Sequence, residues 1–412
     1  MKIAILGYGK EGKAAEKYFS IRGDDVEIID DFTEADLGSF DPSKYDFVFR
    51  SPSVRPRDGF SSMTKYFFDH SVAPIIGVTG TKGKGTTCSL ISAILTALGK
   101  KVFLVGNIGN PSIDVLDELT PDDVVVYEMS SFQLWDLTKS PQVAVVLRIE
   151  ADHLNVHYSF EDYVNAKGHI AEYQTPDDAI VYFSENEWSL AIAAKSKAKR
   201  RARYPLEEKP VGLDNLLDAL AIPGEHNREN AEAALLSVAE FLNIPLVDLI
   251  IKYNDEIRTA FAGFKGLPHH IEFVRNFNGV DYYDDSFSAS YPSLEVAVKA
   301  FAPRPVVLIA GGKDRGLDLT PIKRAIFGAS NLQKAMLMGE TSKNLAENEA
   351  PEKYLLVASL EEAVENARKE AEKLSPELKP VVLLSPGAAS FDMFKDFYDR
   401  GDKFKALVQE LK

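Results

Sequence analysis

Four uninterrupted apolar runs dominate the middle of the chain: PIIGV (Pro74 to Val78), KVFLV (Lys101 to Val105), VVVYE (Val124 to Glu128) and VAVVLRI (Val143 to Ile149). None alternates polar with apolar residues, so none has a face that belongs in water. Strands of that kind sit in parallel sheets covered by helices on both sides. The same rhythm of short β-branched run and longer amphipathic stretch extends in both directions. IAIL (Ile3 to Leu6), VEIID (Val26 to Asp30) and FVF (Phe47 to Phe49) come before, with a helix expected near Glu11 to Arg22. VVLIA (Val306 to Ala310), KAMLM (Lys334 to Met338) and VVLLS (Val381 to Ser385) come after. The pattern predicts an α/β protein with parallel sheets and crossover helices. At 412 residues the chain exceeds what one core serves, and three blocks separate: 1–73, 74–266 and 267–412. The last boundary falls at the glycine turn Gly263 to Gly266, beyond helices expected over Asn227 to Leu242 and Leu246 to Ile257.

A net charge of −15 works against nonspecific nucleic-acid binding, whose affinity comes largely from Lys and Arg on phosphates, so no nucleic-acid partner is expected. KSKAKRRAR (Lys195 to Arg203) is the local exception; without interleaved aromatics it reads as a solvated surface. The single cysteine, Cys88, excludes an internal disulfide and a multi-cysteine metal site and agrees with a reducing compartment. The opening MKIAILGYGKEG holds an apolar stretch of only four residues, too short for a secretion signal or a membrane span. A cytoplasmic protein with no membrane partner is expected.

The segment GVTGTKGKGTT, Gly77 to Thr87, lies between a predicted strand and a helix predicted over Thr86 to Leu98. There the backbone amides of Gly80, Thr81, Lys82, Gly83, Lys84, Gly85 and Thr86 can cradle phosphate, with Lys84 reaching the terminal phosphates. Gly85 stands where a strict nucleotide loop places Ser or Thr, so Thr86 is the candidate hydroxyl for magnesium. A ligand-free glycine turn is the plainer alternative. A second glycine motif, Gly7, Gly9 and Gly12 in GYGKEG, also follows a strand, with Asp30 ending the next strand at dinucleotide-fingerprint distance. That motif suits NAD, a UDP-sugar or no ligand. Two further strand ends, YEMSSFQ (Tyr127 to Gln133) and RIEADHLNVH (Arg148 to His157), are rich in polar groups, as active-site ends of open α/β sheets are. Glu128 and His153 are magnesium-site candidates, or equally structural hydrogen-bonding groups. Lys167, in YVNAKGHI, reads by composition alone as an exposed lysine on an amphipathic helix.

Taken in order, these motifs resemble the Mur ligases, and within them the branch that adds D-glutamate. The resemblance runs through GYGKEG, SPSV at Ser51, GTKGKGTT at Gly80, GNIG at Gly106, YEMSSFQL at Tyr127, ADHLNVH at Ala151, HNRENAEAA at His226, GLPHHIE at Gly266, GGKDRGLD at Gly311 and LSPGAASFDMFKDFYDRG at Leu384. It implies three domains: a Rossmann-like N-terminal domain for the UDP moiety, a central P-loop-type ATPase domain with a mostly parallel sheet, and a C-terminal Rossmann-like domain completing the amino-acid site. It implies an ATP-dependent ligase, joining D-glutamate to UDP-N-acetylmuramoyl-L-alanine through an acyl phosphate, with two magnesium ions and a carbamylated Lys167, working as a monomer. By position, Lys84 resembles the phosphate lysine; Glu128 and His153 resemble magnesium ligands; Asn227, Asn230 and Asp285 fall near the nucleotide. Gly9, Lys10, Asp30 and Ser51 fall on the UDP side, and Asn107, Ser130 and Gln133 face the muramoyl-alanine. Arg315, Ser390 and Phe397 match the amino-acid side.

The chain departs from the family pattern where Asp-Ser-Lys-Ala-Thr-Asn is usual and DSFSAS stands, putting Phe287 for lysine and Ala289 for threonine. His270 replaces an arginine after Gly-Leu-Pro, Ser53 a glycine, and Lys82 an asparagine. Four other readings stay open at this level: a Mur-type ligase with another acceptor, a folylpolyglutamate synthase-like ligase, a nucleotide-binding regulator without acceptor chemistry, and an NAD oxidoreductase built on GYGKEG alone.

Overall fold

The structure is a computed structural model. It describes residues 1–152 and 156–412, with Glu34 and Ala35 described by their backbone alone. The chain forms two compact units, one of residues 1–219 and 228–262, the other of residues 220–227 and 263–412.

The first unit holds two parallel sheets. The smaller is built from β1 (Lys2–Leu6), β2 (Asp25–Ile29), β3 (Phe47–Arg50) and β4 (Ser61–Ser62), in the order β2-β1-β3-β4. Its core joins Ile3 and Ile5 to Ala15 and Phe19 of the helix Lys10–Ile21. The larger comprises β5 (Ile75–Thr79), β6 (Val102–Gly106), β7 (Val124–Glu128), β8 (Val143–Val146), β9 (Ala179–Phe183) and β10 (Arg200–Tyr204), in the order β10-β9-β8-β5-β7-β6. Every residue of β5, β7 and β8 is buried, as the unbroken apolar runs require. The chain crosses from β7 over β5 to β8, so the strand order reverses around β5, and the carboxyl ends of β5, β7 and β8 open on that switch point.

The second unit carries β11 (Glu272–Phe277), β12 (Val280–Asp284), β13 (Val306–Ala310), β14 (Leu332–Leu337), β15 (Tyr354–Leu356) and β16 (Val381–Leu384), in the order β11-β12-β16-β13-β14-β15. All neighbours are parallel except the β11/β12 hairpin. Apolar cores lie on both faces of this sheet.

Several sequence expectations shift. The run VAVVLRI pairs only to Val146, and Leu147 to Ile149 leave the sheet as the start of a loop. The helix expected over Leu246 to Ile257 breaks at Tyr253, giving Leu246–Lys252 and Asn254–Gly263. The phosphate-loop helix starts two positions early, as Lys84–Ala97. The basic run is solvated as expected, with Lys195, Lys197, Lys199, Arg201 and Arg203 exposed, but its end is also structured: Arg200 to Tyr204 is the edge strand β10, in which half-buried and exposed residues alternate up to the buried Tyr204. Arg200 donates to the Asp177 carbonyl at 3.0 Å, Arg201 to the Ala193 carbonyl at 2.8 Å, and Arg203 pairs with Glu207 at 3.1 Å. Among the described residues no single helix is long and apolar enough to cross a membrane.

Candidate active site

Two polar centres meet at the strand ends of the first unit. The first is a cavity of about 510 Å³ lined by Gly7 to Gly12, Asp30, Ser51 to Ser53, Gly106, Asn107, Phe132 and Val156. Its floor is the start of the helix Lys10–Ile21, capped by Gly9 with no side chain on the first-turn amides. Uncapped amides and the positive end of the helix dipole make that floor an anion cradle. Glycine is needed here, because a Cβ on Gly7 (φ +92°) would lie 2.4 Å from Ser51 Oγ and one on Gly12 would lie 2.3 Å from the Gly7 carbonyl oxygen. Asp30 accepts from the Tyr8 amide at 2.6 Å, Ser51 and Ser53 share a hydroxyl bond of 2.8 Å, and Lys10 Nζ donates to the Gly109 carbonyl at 2.7 Å.

Gly9, Lys10, Asp30, Ser51 and Asn107 thus gather on one cavity, while Ser130 and Gln133 stand beside it. Ser130 caps the short helix Ser131–Leu134 in a reciprocal box with Gln133, whose Nε2 donates to Glu11 Oε1 at 2.7 Å. Burial raises the pKa of Glu11. Glu11 was missed, and its place inside GYGKEG was its one available signal.

The second centre is the loop after β5. Gly83 (φ +84°) caps the helix Lys84–Ala97 with no side-chain bond, and a Cβ there would lie 2.5 Å from Asn230 Oδ1. The loop is therefore open to an anion and packed tightly on the helix Glu225–Leu242, where Asn230 also accepts from Thr87 Oγ1 at 3.4 Å. Lys84 Nζ donates to the Gly80 and Thr81 carbonyls at 3.1 and 3.0 Å, Thr86 is half-buried in the first turn, and Lys82 is exposed. Thr81 Oγ1 lies 2.9 Å from the Tyr163 hydroxyl.

Lys167 corrects the exposed reading that composition suggested: it is 1% exposed. Its Nζ donates to the Gly80 carbonyl at 2.9 Å and to Thr79 Oγ1 at 3.2 Å, 4.7 Å from the centre of the Tyr163 ring. Burial first, and the neighbouring Lys84 charge second, push its pKa well below the ordinary lysine range, which favours a neutral, nucleophilic amine. Tyr163 touches both Lys167 and the phosphate loop and was missed; its place four residues before Lys167, on one helix face, was the available signal.

Glu128 ends β7 and is 3% exposed. Burial raises its pKa, opposed by the Lys84 charge and by Asn107, whose Nδ2 donates to Glu128 Oε1 at 3.3 Å. Among the described residues Oε2 has no hydrogen-bond partner. An anionic oxygen buried without a donor is costly, and a divalent cation is the group that would satisfy it. The donor set therefore fits magnesium. His153, the other expected ligand, lies outside the described residues.

The remaining expected residues belong to the second unit. Asn227 donates to the Pro223 carbonyl at 2.7 Å. Asp285, just past β12, accepts from the Ile271 amide at 3.2 Å and from Ser385 Oγ at 2.7 Å, and burial raises its pKa to about 8. Ser390 is buried, and Phe397 opens the helix Phe397–Glu410. Arg315 is exposed in the loop after β13, and that loop runs beside the one after β16 through the Lys313 amide and the Ala389 carbonyl at 2.8 Å. Two departures from the family pattern pack together: the Phe287 and His270 rings are 4.1 Å apart, and Phe287 meets Phe397 edge-on at 5.0 Å. Buried Arg400 ties this region together, donating to Ser286 Oγ at 3.0 Å, the Ser286 carbonyl at 2.8 Å and the Ala388 carbonyl at 3.1 Å.

A family model described as the Mur ligase middle domain matches residues 78–238, the span that carries the phosphate loop, Glu128 and Lys167. A UDP-N-acetylmuramoylalanine–D-glutamate ligase of Clostridium kluyveri is 35% identical, aligned over 100% of this chain and 97% of its own length. The chain belongs to the Mur ligase family. ATP and magnesium are the general requirements of that family. Among solved structures, the UDP-N-acetylmuramate-alanine ligase of Thermotoga maritima superposes with a TM-score of 0.60 at 18% identity, covering 100% of both chains. The folylpolyglutamate synthase of the same organism superposes with 0.58 at 14% identity, covering 85% of this chain and 93% of that one. These two show a shared α/β fold and no more. The full-length kinship at 35% identity therefore outweighs the folylpolyglutamate synthase alternative.

Proposed function

We propose that this protein is a cytoplasmic, monomeric ligase that joins D-glutamate to UDP-N-acetylmuramoyl-L-alanine at the expense of ATP. The observation that carries the reading is Asn107. It lines the anion-ready cavity and its amide also donates to Glu128, so a ligand in the cavity would end beside the orphaned carboxylate oxygen and the phosphate loop. In this reading residues 1–73 receive the UDP moiety, 74–266 the ATP and 267–412 the amino acid.

The chemistry balances as follows. A substrate carboxylate oxygen attacks the γ-phosphorus of ATP, the bond to the β-phosphate oxygen breaks, and ADP leaves. The D-glutamate amine then attacks the acyl phosphate carbon; the tetrahedral intermediate expels inorganic phosphate, and the amine sheds its proton as the amide forms. Reacting groups are anionic on both sides, so the protein acts chiefly by placing them and offsetting their repulsion. The amides of Gly80 to Thr86 and Lys84 would hold the ATP phosphates, and the Gly9 helix end the UDP diphosphate. Two magnesium ions held by Glu128, Thr86, His153 and Lys167 would draw charge off the transferring phosphoryl group. A neutral buried amine is the form that adds CO2, so we assign Lys167 as carbamylated, which would turn an amine into an anionic oxygen ligand. Asn227, Asn230 and Asp285 would contact the nucleotide, and Arg315, Ser390 and Phe397 the amino acid.

Phosphate release with ATP, magnesium and UDP-N-acetylmuramoyl-L-alanine, across a panel of D- and L-amino acids, tests the reading. Strong preference for D-glutamate is the expected result and would show that Phe287 and Ala289 are tolerated. Turnover with another amino acid would replace the acceptor, and none with any amine would leave a nucleotide-binding regulator. A labelled-bicarbonate NMR signal lost in Lys167→Met is expected for the carbamate.

A further inference from the structure

Arg50 is the last residue of β3 and one of the largest fully buried side chains, 1% exposed. Its guanidinium forks onto Asp136, Nε to Oδ2 at 3.1 Å and Nη2 to Oδ1 at 2.6 Å. The same group donates from Nη1 to the Val54 carbonyl at 3.0 Å and from Nη2 to the Phe132 carbonyl at 3.1 Å. Ser62 Oγ completes Asp136 at 2.9 Å. Two of these partners, Val54 and Phe132, connect to the walls of the cavity described above. Ser51 to Ser53 form one wall, in the turn that Val54 closes onto the Ser51 carbonyl at 2.9 Å; Phe132 stands in the other.

A buried ion pair is a poor route to stability, because desolvating both charges costs about as much as their attraction returns, and apolar residues of the same volume often do better. What the fork does supply is direction: a planar guanidinium fixes several acceptors at set angles, which a lysine ammonium cannot. We infer that Arg50 is a positioning residue of the ligase, setting the spacing between the Ser51–Ser53 turn and Phe132 and so the width of the cavity that takes the nucleotide-sugar substrate. The inference rests on reading that cavity as the UDP-substrate site. Arg50 itself does not line it.

The test uses the full chain, with Arg50→Lys and the paired change Arg50→Met with Asp136→Leu, which removes both charges together and so avoids stranding one of them. Binding of UDP-N-acetylmuramoyl-L-alanine and of a non-hydrolysable ATP analogue is measured by calorimetry, alongside KM and kcat. The expected result in both variants is a substrate Kd and KM raised about tenfold, with analogue Kd changed less than about twofold and kcat less than about threefold. The paired variant should unfold at a urea concentration no lower than wild type, so weakened binding there cannot be put down to a damaged fold. Wild-type substrate affinity in the paired variant would overturn the inference, and so would equal losses for substrate and ATP analogue, which mark general loosening. A wild-type protein that binds neither UDP nor the substrate would overturn the reading of the cavity itself.

Discussion

Replacing Lys167 with methionine should alter not only the stability of the first unit but its dependence on pH. The amine is fully enclosed and gives two hydrogen bonds, to the Gly80 carbonyl and Thr79 Oγ1. Where it is neutral, losing them costs about 1 kcal/mol each, so Lys167→Met is less stable by about 2 kcal/mol. The folded-state pKa lies well below the unfolded value of 10.5, lowered by burial and then by Lys84. Between those two values the unfolded chain binds a proton that the folded chain does not, so wild-type stability rises with pH, by up to about 1.4 kcal/mol per unit. Methionine does not titrate. The variant's deficit at high pH should therefore shrink as pH falls through the window and turn into an advantage, and the two stability curves should cross. Urea titrations at several pH values, in bicarbonate-free buffer so that no carbamate forms, measure this. The only two tryptophans, Trp135 and Trp188, both lie in the first unit, so their fluorescence follows the unit that contains Lys167. Parallel curves for wild type and variant across the range would refute the reasoning, because they would mean that Lys167 keeps its ordinary pKa in the folded state.

Gly83→Ala should raise the KM for ATP and lower stability by about 1–3 kcal/mol, from a left-handed backbone and a Cβ 2.5 Å from Asn230 Oδ1; an unchanged KM would count against the tight loop. Tyr163→Phe removes only the hydroxyl bonded to Thr81, so a loss of about 1 kcal/mol in ATP-analogue affinity is expected by calorimetry, with UDP binding unaffected. Asp285 has a folded pKa raised from 3.8 to about 8, so the stability tied to its protonated form is lost as pH rises between those values. Asp285→Asn should abolish that decline in differential scanning calorimetry, since the amide oxygen can still accept from Ile271 and Ser385 Oγ can turn to accept from the amide nitrogen.

The residues whose roles follow from chain-local geometry were readable from sequence. Glycines at fixed offsets between a strand and a helix announced both anion cradles, and unbroken apolar runs announced buried strands. Lys167 was not readable this way: on helix periodicity a lysine belongs outside, and only the packing of Thr79, Gly80 and Tyr163 around it shows otherwise. The family resemblance, not the periodicity, singled it out. Arg50 and Arg400 were hidden for a similar reason, since their partners lie up to 86 and 114 positions away. β10 escaped because three arginines in five residues outweigh strand propensity until the inward positions are seen to alternate. Phe287 and His270, read separately as two lost charges, turn out to be one closely packed, tilted ring pair.

The arginines of β10 have a consequence beyond their own bonds. Among the described residues β10 has a single strand neighbour, β9, and an edge strand of that kind offers a place where a strand from another molecule can add. A second copy adding in register would set Arg201 against Arg201 and Arg203 against Arg203 at cross-strand distance, where like charges repel. In a protein whose net charge is strongly negative, this short positive rim works as a gatekeeper, guarding one edge of the six-stranded sheet that carries the phosphate loop from templating aggregation.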